Sequence, residues 1–97
     1  MMSESIFKEN LFEGKKVFIT GGATGMGLGF AKAFLEHGAD VLIASRKEEN
    51  LAKAAAEMNN QTGKTLHWKT MDVRNNETVE DVAKHIKDTW GHLDVLV

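Results

Sequence analysis

Apolar positions along this chain alternate between short unbroken runs and stretches with helical spacing. Val17-Phe18-Ile19 is a run of the kind shown by a strand buried on both faces. Phe30, Ala31, Phe34 and Leu35 then recur at helical intervals, in a helix that starts at Gly25 or Gly27 and is closed by Gly38. The alternation repeats. Val41-Leu42-Ile43-Ala44 is a second run, and Leu51, Ala54, Ala55 and Met58 mark one face of a second helix ending in Asn59-Asn60-Gln61-Thr62-Gly63. Thr65 to Met71 reads as a third strand, diluted by His67 and Lys69. Asn75 or Asn76 can cap a third helix, with Val79, Val82, Ala83, Ile86 and Trp90 on one face and Gly91 as the stop. Leu93-Asp94-Val95-Leu96-Val97 begins a fourth strand. The order β-α-β-α-β-α-β predicts an α/β fold with a parallel sheet and right-handed crossovers. The expected strand order is 3-2-1-4, with a ligand at the carboxyl edge where that order reverses.

Residues 1–15 form a polar lead-in, in which Ile6, Phe7, Leu11 and Phe12 can pack one amphipathic turn against the domain. No repeat, low-complexity tract or linker interrupts the rest of the chain, so a single domain is expected. A last strand that would be central in a complete doubly wound sheet leaves unpaired backbone groups at its far edge. The expectation is therefore the N-terminal part of a longer protein, or a truncated product.

Composition narrows the function classes. At 97 residues, with 42% hydrophobic and 27% charged positions, the chain is ordinary for a globular protein. A formal net charge of −2 gives no footprint for nucleic acid or an anionic membrane. No apolar run approaches the length of a membrane span. There is no Cys, hence no thiolate metal site, and His37, His67, His85 and His92 have no second ligand at metal spacing. No metal is expected. Trp68 and Trp90 read as packing residues. The first ten residues contain two Glu and no Arg, which argues against a mitochondrial transit peptide. The cytosol is the default compartment, with mitochondria and peroxisomes left open.

The candidate chemistry lies between the first run and the first helix. Thr20-Gly21-Gly22-Ala23-Thr24-Gly25-Met26-Gly27 breaks the strand into glycines immediately before a helix start. Such a turn brings backbone close to a pyrophosphate, and the helix offers free N–H groups and the positive end of its dipole. The plain alternative is a glycine-rich turn with no ligand. About 20 residues after Gly25, where a dinucleotide fold usually places an acid on the ribose 2′-hydroxyl, stand Ser45 and Arg46. A guanidinium there suits a 2′-phosphate, with Ser45 adding a hydroxyl and Lys47 a second charge. Such bonds are worth about 1.5–3 kcal/mol each, or about a ten- to hundred-fold preference for NADP over NAD. The alternative is a solvated basic turn, which the dipole of the following helix disfavours. Asp72 and Val73, just past the third strand, can accept from an adenine amino group and pack on its ring; a turn or capping Asp is the competing reading.

The T-G-x-x-x-G-x-G pattern on Thr20, Gly21, Gly25 and Gly27, with Ser45-Arg46, Asp72-Val73 and Leu93 to Val97 in register, resembles the short-chain dehydrogenase/reductase family over Leu11 to Val97. Ile43 to Lys47, Gln61-Thr62-Gly63 and Asp72-Val73-Arg74 look most like its 2,4-dienoyl-CoA reductases. The resemblance implies a Rossmann-like doubly wound sheet of which residues 1–97 are the N-terminal, NADP-binding part. It also implies NADPH reduction of a dienoyl thioester in unsaturated fatty acid oxidation, with an acyl-CoA as substrate and a homo-oligomer for the full-length protein. It puts Gly21 to Met26 around the pyrophosphate, Arg46 on the 2′-phosphate and Asp72 at the adenine. The family's Asn-Asn-Ala-Gly stretch, catalytic Ser and Tyr-x-x-x-Lys pair would all lie past Val97. The chain contains no Tyr, so no catalytic residue is named. A 3-oxoacyl thioester or a sugar remains open as substrate. So does a non-catalytic module that binds nucleotide weakly or acts through partners by its open sheet edge.

Overall fold

The computed structural model describes residues 13–21 and 25–97. The lead-in turn expected on Ile6 to Phe12 lies outside them. The described elements are β1 (Lys16–Thr20), α1 (Gly25–Glu36), β2 (Asp40–Ser45), α2 (Glu48–Thr62), β3 (His67–Thr70), α3 (Asn76–Thr89) and β4 (Val95–Leu96). The four strands form one parallel sheet in the order β3-β2-β1-β4. The fold is the expected α/β, Rossmann-like arrangement.

Strand alternation divides the interior into two cores. Val17 and Ile19 of β1 and Val41 and Ile43 of β2 share one core with Ala31 and Leu35 of α1 and Leu51, Ala54 and Met58 of α2. Phe18, Leu42 and Ala44 belong to the other, with Met71 and with Val82 and Ile86 of α3. The chain thus runs from β1 outward through β2 to β3, then crosses back under α3 to β4 on the far side of β1. That reversal opens a crevice at the carboxyl ends of the strands.

Helix ends follow local chemistry. Asn75 caps α3, its side chain accepting from the Glu77 amide at 3.0 Å. After α1 the backbone turns through Gly38, whose φ is +94°. The dihedral favours glycine, and a Cβ there would sit 3.1 Å from the Cα of Glu13, which would have to give by a few tenths of an ångström.

Two expectations are corrected, and one residue is more open than its face suggests. The β3 ladder covers only His67 to Thr70, because its pairing runs from Leu42 to the end of β2 at Ser45; Leu66 and Met71 flank it as buried side chains. The β4 ladder covers only Val95–Leu96, although Asp94 and Val97 still bond β1 through Lys16 and Phe18 carbonyls at 2.9 Å. Ala83 is exposed. It faces a groove of about 520 Å³ that it shares with Val79, Leu93 and Leu96, and among the described residues nothing covers that groove. Trp68 and Trp90 are half-buried packing residues, as expected.

Candidate functional site

At the carboxyl edge, β1 ends at Thr20 and the chain bends through Gly21. The Gly21 amide donates to the Ala44 carbonyl at 2.7 Å, which ties the bend to β2. Its φ of +66° favours glycine, and none of the described residues lies within 4 Å of where a Cβ would stand. Gly25 opens α1, and Gly27 is half-buried in its first turn. That turn carries no acidic side chain, whereas α2 begins with Glu48 and Glu49 and α3 has Glu77. The positive end of the α1 dipole is therefore not offset by its own sequence. Gly22, Ala23, Thr24 and the side chain of Met26 lie outside the described residues.

Thr20, Gly21, Ser45, Arg46, Asp72 and Val73 come together around one cleft of about 430 Å³. That volume is within the range of small-ligand sites. Ala44 and Met71 floor it, and Arg74 completes it. Ser45 is half-buried at the end of β2 and Arg46 is exposed beside it. Arg46 takes part in none of the ion pairs among the described residues. Lys47, expected to supply the second positive charge, is instead the exposed N-cap of α2 and does not line the cleft. Arg74 lines it instead, with its guanidinium already paired to Asp72.

Asp72 is held rigidly. Its amide donates to Thr78 Oγ1 at 3.0 Å, and its carbonyl accepts from the Asn75 amide at 2.9 Å. Its carboxylate accepts from Arg74 three times: from the backbone amide at 2.9 Å and from Nε at 3.1 Å, both on Oδ1, and from Nη2 at 3.1 Å on Oδ2. The Arg74 side-chain bonds, then its backbone bond, hold the Asp72 carboxyl below the usual carboxylate range; partial desolvation opposes them, and the charges of Arg74 and Arg46 add to the lowering. Asp72 is thus an ionised acceptor. The Asp-x-Arg spacing that builds this fork is visible in the sequence, but the spacing alone gives Arg74 no place in the cleft.

An open glycine bend, an uncompensated helix start, a guanidinium and a fixed carboxylate lie along one edge of a parallel sheet. This arrangement suits a ligand carrying both anionic and hydrogen-bond-donating groups. A family model described as short chain dehydrogenase matches residues 15–97. The chain belongs to the short-chain dehydrogenase family.

Members of this family use nicotinamide dinucleotides and are oxidoreductases. A peroxisomal 2,4-dienoyl-CoA reductase from Danio rerio is 35% identical over 92 residues, covering 95% of this chain and 31% of the relative. A 3-oxoacyl-[acyl-carrier-protein] reductase FabG from Chlamydia pneumoniae is 40% identical over 84 residues, covering 87% and 34%. The chain spans about a third of the length of these curated relatives. Among solved structures, a citronellol catabolism dehydrogenase (AtuB) from Pseudomonas aeruginosa PAO1 superposes with a TM-score of 0.86 at 33% identity, covering 94% of this chain and 38% of the other. An L-sorbose reductase from Gluconobacter frateurii, complexed with NADPH and L-sorbose, gives 0.80 at 29% identity, covering 88% and 32%.

Among the described residues, no group of three or more His, Cys, Asp or Glu could hold a metal ion. No described helix is long and apolar enough to cross a membrane.

Proposed function

We propose that this chain is the cofactor-binding part of an NADPH-dependent reductase acting on an unsaturated acyl-CoA, a 2,4-dienoyl thioester. The observation that carries the cofactor reading is Arg46. It stands at the end of β2 where an acid would read an NAD ribose, and it opens into the cleft that holds Asp72.

Each residue has a task in that reading. Gly21 to Met26 and the start of α1 receive the pyrophosphate through backbone N–H groups. Arg46 pairs with the 2′-phosphate and Ser45 adds a hydroxyl bond. Asp72 accepts from the adenine amino group, and the exposed Val73 packs on the ring. The bound dinucleotide supplies the hydride, and this stretch of chain fixes its adenosine end so that the nicotinamide end is presented at a constant position. The groups that polarise the substrate and deliver a proton are assigned to no residue between Met1 and Val97.

The dienoyl substrate is supported by the dienoyl-CoA reductases among the relatives. The FabG relatives favour a second reading, a 3-oxoacyl thioester. A homo-oligomer is part of the proposal. The peroxisomal relatives keep that compartment open beside the cytosol.

Titration of the full-length protein with NADPH and NADH tests the cofactor. NADPH should bind about ten- to hundred-fold more tightly, and Arg46→Ala should remove most of that difference. Equal losses for both cofactors would take Arg46 off the 2′-phosphate. Turnover of a dienoyl-CoA against a 3-oxoacyl thioester then decides the substrate. Binding without turnover of either would favour a non-catalytic nucleotide-binding role.

A further inference from the structure

The fork between Arg74 and Asp72 does more than fix a turn. Each carboxylate oxygen has two acceptor positions. Oδ1 takes the amide and Nε of Arg74 and is filled. Among the described residues Oδ2 takes only Nη2, which leaves one acceptor position on that oxygen. One remaining acceptor matches one N–H of an adenine amino group.

The fork also governs charge. Arg46, Asp72 and Arg74 line the same cleft. Arg46 is close enough for its charge to act on Asp72, yet it enters no ion pair among the described residues. Arg74 has already satisfied the carboxylate. Thr20 and Ser45, the other polar residues lining the cleft, and Thr78 and Asn75, which bond the Asp72 backbone, are uncharged. With Arg74 in place the three groups sum to one positive charge. Without it, the carboxylate would be left to draw Arg46 inward and to repel an incoming phosphate.

We infer that Arg74 is a specificity-determining residue that acts through Asp72: it occupies the carboxylate so that Arg46 stays available to a nucleotide 2′-phosphate. This rests on the NADPH reading above. Arg74 is a positioning residue and touches neither hydride nor substrate. Its exposed side chain makes loss of the fold on substitution a small concern.

The test is calorimetric titration of the full-length protein with NADPH and NADH, using Arg74→Ala, Asp72→Asn and the double variant. Far-UV circular dichroism checks that each is folded. Arg74→Ala should weaken NADPH by about five- to twenty-fold and NADH by less than about threefold. Adding Asp72→Asn should restore much of the NADPH-to-NADH ratio, because the competing carboxylate charge is gone. Equal losses for both nucleotides would mean that Arg74 only orients the adenine acceptor, and would overturn the inference. A ratio that Asp72→Asn fails to restore would place Arg74 on the phosphate itself, which also overturns it. A wild-type protein that prefers NADPH but is indifferent to Arg74→Ala sinks this inference alone. A wild-type protein that binds neither nucleotide sinks the NADPH reading with it.

Discussion

The two ends of the sheet use the same kinds of side chain to opposite effect. At the carboxyl edge, Asp72 is tied to Arg74, two residues away, and the surrounding cleft stays open. At the amino edge, the ties between elements come from distant parts of the chain, with His92 as one local addition. The Lys16 amide donates to Asp94 Oδ2 at 2.8 Å, and Asp94 also meets His92 Nε2 at 3.2 Å. The Lys16 ammonium pairs with Asp40 and stands 5.7 Å from the centroid of the Trp90 ring. These contacts join β1 to β2, to the end of α3 and to the approach to β4. A carboxylate satisfied by a near neighbour leaves its strand ends free to flank a ligand. One satisfied across 78 residues of chain closes the sheet.

Cutting the link between the edges is the severest test. Ile43 is fully buried in the middle of β2. Ile43→Ala should cost about 2–5 kcal/mol, read by denaturant unfolding, and weaken both edges together. Nucleotide binding that survives with normal affinity at such a loss would show the cleft to be independent of the core.

Gly38 and Gly21 extend the contrast to the backbone. Both have positive φ, but Gly38 lies against Glu13, whereas none of the described residues lies within 4 Å of a Cβ placed on Gly21. Gly21→Ala should cost about 1–2 kcal/mol from the dihedral alone. Gly38→Ala should cost more, because a crowded backbone must also move. Nucleotide affinity should fall for Gly21→Ala and hold for Gly38→Ala under conditions where each is folded. The reverse order in thermal melts would break the assignment of the amino edge to structure.

The smallest expected effect is in acid. The backbone amide of Lys16 holds the Asp94 carboxyl below its ordinary value of 3.8, with His92 and Lys15 contributing and desolvation opposing. A folded-state value below the unfolded one means that the contribution is present above about pH 4 and fades as pH falls through the folded value. Asp94→Asn should therefore lower the melting temperature near neutrality and flatten the acid limb of the stability profile. Asp72→Asn, lacking a long-range partner, should move the melting temperature less and nucleotide binding more. Identical acid limbs for Asp94→Asn and wild type would remove Asp94 from the latch.

Much of the fold is legible in the residue pattern. The 3.6-residue spacing of Leu51, Ala54 and Met58 and the runs Val17 to Ile19 and Val41 to Ala44 report burial directly, and they appear as those helices and strands. Ala83 shares the face its spacing predicts and is still exposed, because helical spacing says which residues share a face, not how wide the covered part of that face is. Lys47 stays out of the cleft and Arg74 enters it for a related reason. Both are basic residues near a strand end, and only the path of the turn decides which side chain reaches the cleft.

The alternation of elements, the glycine bend after β1 and the identities of Arg46 and Asp72 are written into the residue order alone. Backbone sterics and the hydrophobic effect act on local pattern, and local pattern is what a sequence displays. It took the assembled sheet to bring Arg46, Asp72 and Arg74 into one cleft and to let Asp94 lock β4 to β1. Those pairings depend on where the crossovers return the chain, which side-chain contacts spread over the whole sheet determine together.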